Sequence, residues 1–168
     1  MRTLRIYRLF ICQLPIACCL LFNSCKQIDV FEKNISIPNY EWKHSFAANG
    51  SFIIKDTSSA CNIYLVLRHT DAYRYNNIWL NIGLQLPGDT MKIQKVEILL
   101  STDANGWEGT GMNDIWELRT LLNVDPRHKR FAKTGTYNFT INQIMRDDPL
   151  PNIMSVGLRI EKEKNVKN

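Results

Sequence analysis

Along most of the chain apolar and polar residues alternate with a period of two, the pattern of strands with one buried face. The clearest run is Ile78, Leu80, Ile82, Leu84 and Leu86, alternating with Trp79, Asn81, Gly83 and Gln85. Val96, Ile98 and Leu100 repeat it, as do Tyr137, Phe139 and Ile141, and then Met154, Val156, Leu158 and Ile160. Tyr40, Trp42, His44 and Phe46 predict a strand with Glu41, Lys43 and Ser45 on its other face. Phe52 and Ile54 share a face just after an Asn49-Gly50 turn. Cys61–Leu67 is apolar on both faces, as a central strand is. Ile115–Leu122 fits a strand face (Trp116, Leu118, Leu122) and a helix face (Ile115, Leu118, Leu122), and reads better as a strand. Gln143–Arg146 predicts a single helical turn. Asn76-Asn77, Pro87-Gly88-Asp89, Asn105-Gly106, Thr134-Gly135 and Asp148-Pro149-Leu150-Pro151 separate these runs. Many short strands without a long 3.6-residue period predict an all-β domain, a single antiparallel β-sandwich of jelly-roll or immunoglobulin-like type. It is expected over residues 39–162, with 163–168 a frayed tail.

The first 24 residues do not fit that pattern. Arg2, Arg5 and Arg8 precede an apolar run from Leu9 to Phe22, with no acid before Cys25. A basic region followed by an apolar stretch is an export signal. The run is shorter than the roughly 20 residues a spanning helix needs, and Gln13 and Pro15 interrupt it. It ends Leu21-Phe22-Asn23-Ser24-Cys25, which resembles a bacterial lipobox, with Phe22 and Asn23 departing from the usual aliphatic and small residues. The resemblance implies diacylglycerol on the Cys25 thiol, cleavage before Cys25, and acylation of the new amine. Residues 1–24 then form a lipoprotein signal peptide, and 25–38 the lipidated cysteine and its tether. More than one acyl chain is needed for stable anchoring, since one chain binds only marginally.

This leader changes how composition reads. The 168 residues carry a formal charge of +5 and a pI of about 9.0. That basicity alone would point to nucleic acid or an anionic membrane. Without Arg2, Arg5 and Arg8 the excess of base over acid falls from five to two, and an exported chain has no nucleic-acid partner. Cys12, Cys18 and Cys19 leave with the leader, and lipid blocks Cys25. Cys61 is then left without a second thiol for a disulfide or zinc site.

Candidate chemistry is sparse. His44, His69 and His128 are isolated in sequence, no nucleophile elbow or phosphate loop is present, and the adjacent acids Asp147 and Asp148 point apart and read as turn initiators. No catalytic residue, metal ligand or cofactor is expected. Asp103–Glu108 gathers oxygen ligands, but without EF-hand spacing it reads as a turn. Arg127-His128-Lys129-Arg130 with Lys133 reads as a solvated hairpin tip that could also touch anionic lipid. The densest constellation is Arg68 to Trp79, which links two central strands. Its candidate partner- or ligand-binding residues are Arg68, His69, Asp71, Tyr73, Tyr75, Asn76, Asn77 and Trp79, joined by Trp107. Aromatic faces with amides and acids suit a protein partner or a glycan. On the plainer reading, Tyr73 and Tyr75 cover the edge of the sandwich and Asn76-Asn77 makes the turn.

Together with the lipobox, three segments carry a likeness to a family. They are Arg68–Trp79, then Gly106-Trp107-Glu108-Gly109-Thr110-Gly111-Met112, then Arg146-Asp147-Asp148-Pro149-Leu150-Pro151 followed by Val156-Gly157-Leu158-Arg159. In order and spacing the chain resembles the GldH family, gliding-motility lipoproteins of the Bacteroidota. The resemblance implies a non-catalytic lipoprotein of the cell envelope, joined to other proteins of the gliding and type IX secretion machinery. Lys26-Gln27-Ile28-Asp29 lacks the acidic cluster that resembles a surface-export signal in this phylum, so a periplasm-facing membrane anchor is expected. The alternative function is a lipid-anchored glycan- or peptidoglycan-binding module built on loop 68–79 and Trp107.

Overall fold

The computed structural model describes residues 30–122 and 130–163. The leader, Cys25, the start of the tether, Arg127-His128-Lys129 and residues 164–168 lie outside the described residues.

The strands, in chain order, are β1 (Val30–Ser36), β2 (Glu41–Trp42), β3 (Ala48–Ile54), β4 (Cys61–Thr70), β5 (Asn77–Gln85), β6 (Lys92–Leu99), β7 (Ser101–Thr102), β8 (Gly106–Trp107), β9 (Thr110–Met112), β10 (Ile115–Leu121), β11 (Gly135–Gln143), β12 (Leu150–Pro151) and β13 (Ile153–Lys162). One sheet runs β1-β13-β4-β10-β9 and the other β3-β11-β5-β6. Every pairing is antiparallel. Among the eight long strands the order is first, eighth, third, sixth in one sheet and second, seventh, fourth, fifth in the other. That is a jelly roll, so the strand order decides between the two topologies the sequence allows.

The period-two runs supply the core. Leu65 and Leu67 of β4, Ile78 and Leu80 of β5, Tyr137, Phe139 and Ile141 of β11, and Val156, Leu158 and Ile160 of β13 are buried between the sheets. The ambiguous segment 115–122 is β10, paired to β4 on one side and to β9 on the other. Its buried residue is Leu118.

Four local expectations are corrected. Residues 30–36, expected in the tether, form β1, which pairs with β13 from Val30↔Glu161 to Ser36↔Ser155, so the sandwich begins nine residues earlier than predicted. The predicted strand 40–46 shrinks to Glu41–Trp42. The chain turns there because Phe46 N–H donates to the Lys43 carbonyl (2.9 Å) and Trp42 Nε1–H to the Phe46 carbonyl (2.9 Å). Asn49-Gly50 lies inside β3, where Gly50 opposes Phe139 across the ladder and the aromatic ring occupies the space a Cβ would need. Gln143–Arg146 is not helical. The buried Gln143 side chain takes the local backbone groups, with Nε2 donating to the carbonyls of Trp42 and Asp147 (3.1 Å each) and Oε1 accepting from Met145 N–H (2.8 Å).

A jelly roll sorts its connections onto two ends. The segments 37–47, 71–76, 100–114 and 144–152 meet at one end, the head. The segments 55–60 and 86–91, with Leu122, Arg130 and Phe131, form the other, the foot. Registers place Val30, Asn62 and Glu161 side by side, so the chain enters at the foot.

Candidate functional site

Parts of the three segments singled out in the sequence converge on the head, while Val156–Arg159 runs along β13 away from it. Thr70 N–H donates to the Asn152 carbonyl (3.0 Å), and Asn152 Nδ2 donates to the Ala72 carbonyl (3.0 Å). Asp71 N–H donates to the Asp114 carbonyl (2.9 Å). Tyr75 Oη–H donates to Asp147 Oδ2 (2.7 Å), while the neighbouring Asp148 accepts from His44 N–H (2.9 Å). The two adjacent acids thus diverge onto different partners. The Asp148-Pro149 peptide is cis.

Beneath this surface lies an aromatic cluster. His69 packs with its ring centroid 4.6 Å from Trp107 and 5.7 Å from Tyr73, and Tyr73 meets Tyr75 edge-on at 5.7 Å. His69 is fully buried and Tyr73 is 4% exposed. The Tyr73 hydroxyl donates to the Asn77 carbonyl (3.0 Å), and burial raises its pKa. Burial also lowers the pKa of His69, so the ring is neutral there. Its Nδ1–H donates to the Thr70 carbonyl (2.8 Å), and Nε2 meets no hydrogen-bond partner among the described residues.

This corrects the candidate set. His69 and Tyr73 are core residues, and their rings have no face to offer a ligand. Trp107 is half-buried against His69. Arg68 lies on the outer sheet face, paired with Glu117 at 2.6 Å, and Arg119 meets the same carboxylate. Trp79 is half-buried, with Lys95 Nζ 4.6 Å over its ring. Asn77 lies in β5, its amide donating to Glu97 (2.6 Å). The Asn76 carbonyl receives the N–H groups of Leu100 and Ser101 (2.7 and 3.1 Å), so Asn76 tethers the segment that follows β6. Of the original set, Asp71 and Asn76 are exposed on the head and Tyr75 is half-buried.

The head also carries residues the sequence reading passed over. Met112 is 74% exposed beside the exposed Ile115, its partner across the β9–β10 ladder, and Tyr40 is exposed on the 37–47 connection. Glu41, Asp71, Asp103, Asp114 and Asp148 are exposed there, against Lys43, Arg74 and Arg146. The head therefore presents a surplus of carboxylates around scattered apolar side chains. Met112 stood inside a segment carrying the family likeness, but only the register of β9 against β10 places it at the head.

These features define a single jelly-roll domain whose separated loop segments close together at the end away from the chain's entry. A family model for GldH lipoprotein matches residues 29–160, and the chain belongs to that family. It is 26% identical over 153 residues to the gliding motility lipoprotein GldH homolog of Christiangramia forsetii, covering 87% of this chain and 91% of that one. It is likewise 26% identical over 157 residues to the gliding motility lipoprotein GldH of Flavobacterium johnsoniae, covering 89% and 94%. Among solved structures, the infectious bursal disease virus VP2 subviral particle aligns with a TM-score of 0.28 and 14% identity. It spans 81% of this chain and 34% of that one, a likeness too loose to bear on fold or function.

Proposed function

We propose that this lipoprotein is a non-catalytic, acyl-anchored envelope component that holds a protein of the gliding and type IX secretion machinery against its head. The carrying observation is membership of the GldH lipoprotein family over residues 29–160. The anchor is a diacylglyceryl thioether on Cys25, with further acylation of its amine, and the domain faces the periplasm. The acidic head with Met112 and Ile115 suits a partner surface of basic residues around an apolar patch, since such complementarity steers association. Burial of Tyr73 and His69 takes two of the rings of loop 68–79 out of a ligand's reach, which favours a protein partner over a glycan.

The test is a photo-crosslinking residue at Asp71 or Asn105, with Ile53 at the foot as control, in living cells. Crosslinks from the head to other motility or secretion proteins are expected. Recovery of none, with normal secretion and spreading in a deletion strain, would falsify the reading. Cys25→Ala is expected to move the protein from the membrane to the soluble fraction.

A further inference from the structure

We infer that the foot of the jelly roll rests on the bilayer, with an anionic lipid surface as its contact. This rests on the proposed anchoring at Cys25. Only Lys26, Gln27, Ile28 and Asp29 separate Cys25 from Val30, where β1 begins. Five extended residues span at most about 18 Å. The point where the chain enters the domain is therefore held close to the headgroups. The head stands a strand length away, about 33 Å for the ten residues of β4.

The two ends differ in the way this placement requires. The foot carries Lys55, Lys92, Arg130, Lys133 and Lys162. Its acids among the described residues are Asp56, Asp89, Glu161 and Glu163, and Glu161 is paired with Arg159. Asp56 accepts from Ser58 and Ser59, which hold its carboxyl down to about 2, and lies 4.0 Å from Lys162. Asp89 lies 3.9 Å from Lys92. Lys55 and Arg130 face no carboxylate among the described residues. Exposed apolar side chains sit among these cations, Ile53 at 65% and Ile93 at 64%. Ile93 and Leu121 rim a groove of about 470 Å³ that rises along the flank between β6 and β10, walled by Ile82, Leu84, Val96 and Leu122. Apolar side chains among cations match an interface of acyl chains under anionic headgroups. The acidic head lies several Debye lengths away and is spared repulsion only in this orientation.

The experiment uses the acylated protein reconstituted in vesicles of phosphatidylcholine alone or with phosphatidylglycerol. An environment-sensitive fluorophore is placed through Ile93→Cys or Asn105→Cys in a Cys61→Ser background. Ile93→Cys is expected to show a blue shift and quenching by brominated lipid, stronger on anionic vesicles, while Asn105→Cys shows neither. Each of Lys55→Gln and Lys133→Gln, which removes one positive charge, is expected to lower the anionic preference about fivefold. Hydrogen exchange of the unaltered protein provides a second reading, with slowing at 55–60 and 86–91 and none at 71–76. Intact mass reports acylation of Cys25 separately. A protein without acyl mass overturns the anchoring reading and this inference with it. An acylated protein whose position 93 is as wet as 105, or whose response ignores lipid charge, overturns the orientation alone.

Discussion

At the scale of single residues, the aromatic cluster under the head sets both stability and its dependence on pH. Tyr73 hangs from a loop back into the core, so Tyr73→Ala is expected to lower the unfolding free energy by about 3–5 kcal/mol. Tyr73→Phe, which loses only the bond to the Asn77 carbonyl, is expected to cost about 1 kcal/mol. Urea unfolding of both variants measures the difference. His69 has a folded pKa below its ordinary 6.5 because burial disfavours the charged ring. The unfolded chain therefore takes a proton on this residue at a higher pH than the folded chain does. Its contribution is intact above about pH 6.5 and declines as the pH falls below that value. Titrations near pH 7 and pH 5.5 should show a smaller drop in midpoint for His69→Phe than for the parent protein, and equal drops would refute the assignment. The sequence marks His69 and Tyr73 as members of a dense cluster but not as buried. Residue type does not distinguish an aromatic covering a sheet edge from one presented to a partner, because both environments favour the same side chains.

At the scale of elements, β1 shows what local patterning misses. Phe31 and Ile35 lie on one face, but Lys33 interrupts them, and the strand is completed by β13 from the far end of the chain. Edge strands of this kind have weak alternation because only one ladder and part of one face are satisfied. Gly157 of β13 is where β1 closes in. A side chain there would run into the Lys33 carbonyl oxygen and the Asn34 backbone. Gly157→Ala is therefore expected to destabilise by about 1–3 kcal/mol. It should also speed proteolysis before Ser36, read by limited digestion and mass spectrometry; an unchanged cleavage rate would show that β1 tolerates the displacement. Strands β5, β11 and β13 were legible because each has an uninterrupted apolar set facing one core. The 40–46 alternation misled because only Glu41–Trp42 finds a strand partner, in β12, and the Trp42 indole then closes a turn on the Phe46 carbonyl. No periodicity reports that choice.

At the scale of the whole molecule, the candidate site becomes a consequence of topology. Segments near residues 71–76, 100–114 and 144–152 are remote in sequence, yet alternate connections of a jelly roll must leave from the same end. Their likeness to one family was readable residue by residue, but their meeting was not. The same rule places the entry of the chain at the opposite end, and this fixes the height of the head. If the proposed anchor is at Cys25, at most about 18 Å of tether and about 33 Å of strand would keep the head in a narrow band above the membrane. Under that proposal, a partner that is itself embedded or anchored there would meet the head without either protein searching in three dimensions. Lengthening the tether relaxes that match. Twelve Gly/Ser residues inserted between Asp29 and Val30 add a root-mean-square reach of about 20 Å. The insertion lies before β1, so the thermal midpoint, acylation and membrane fractionation are expected to stay as they were. Crosslinking from Asn105 to its partner is expected to fall, because the head now samples a larger volume in which the partner's site occupies a smaller share. Unchanged crosslinking with the longer tether would mean that the partner finds the head at any height. The short stretch between Cys25 and Val30 would then be a simple leash.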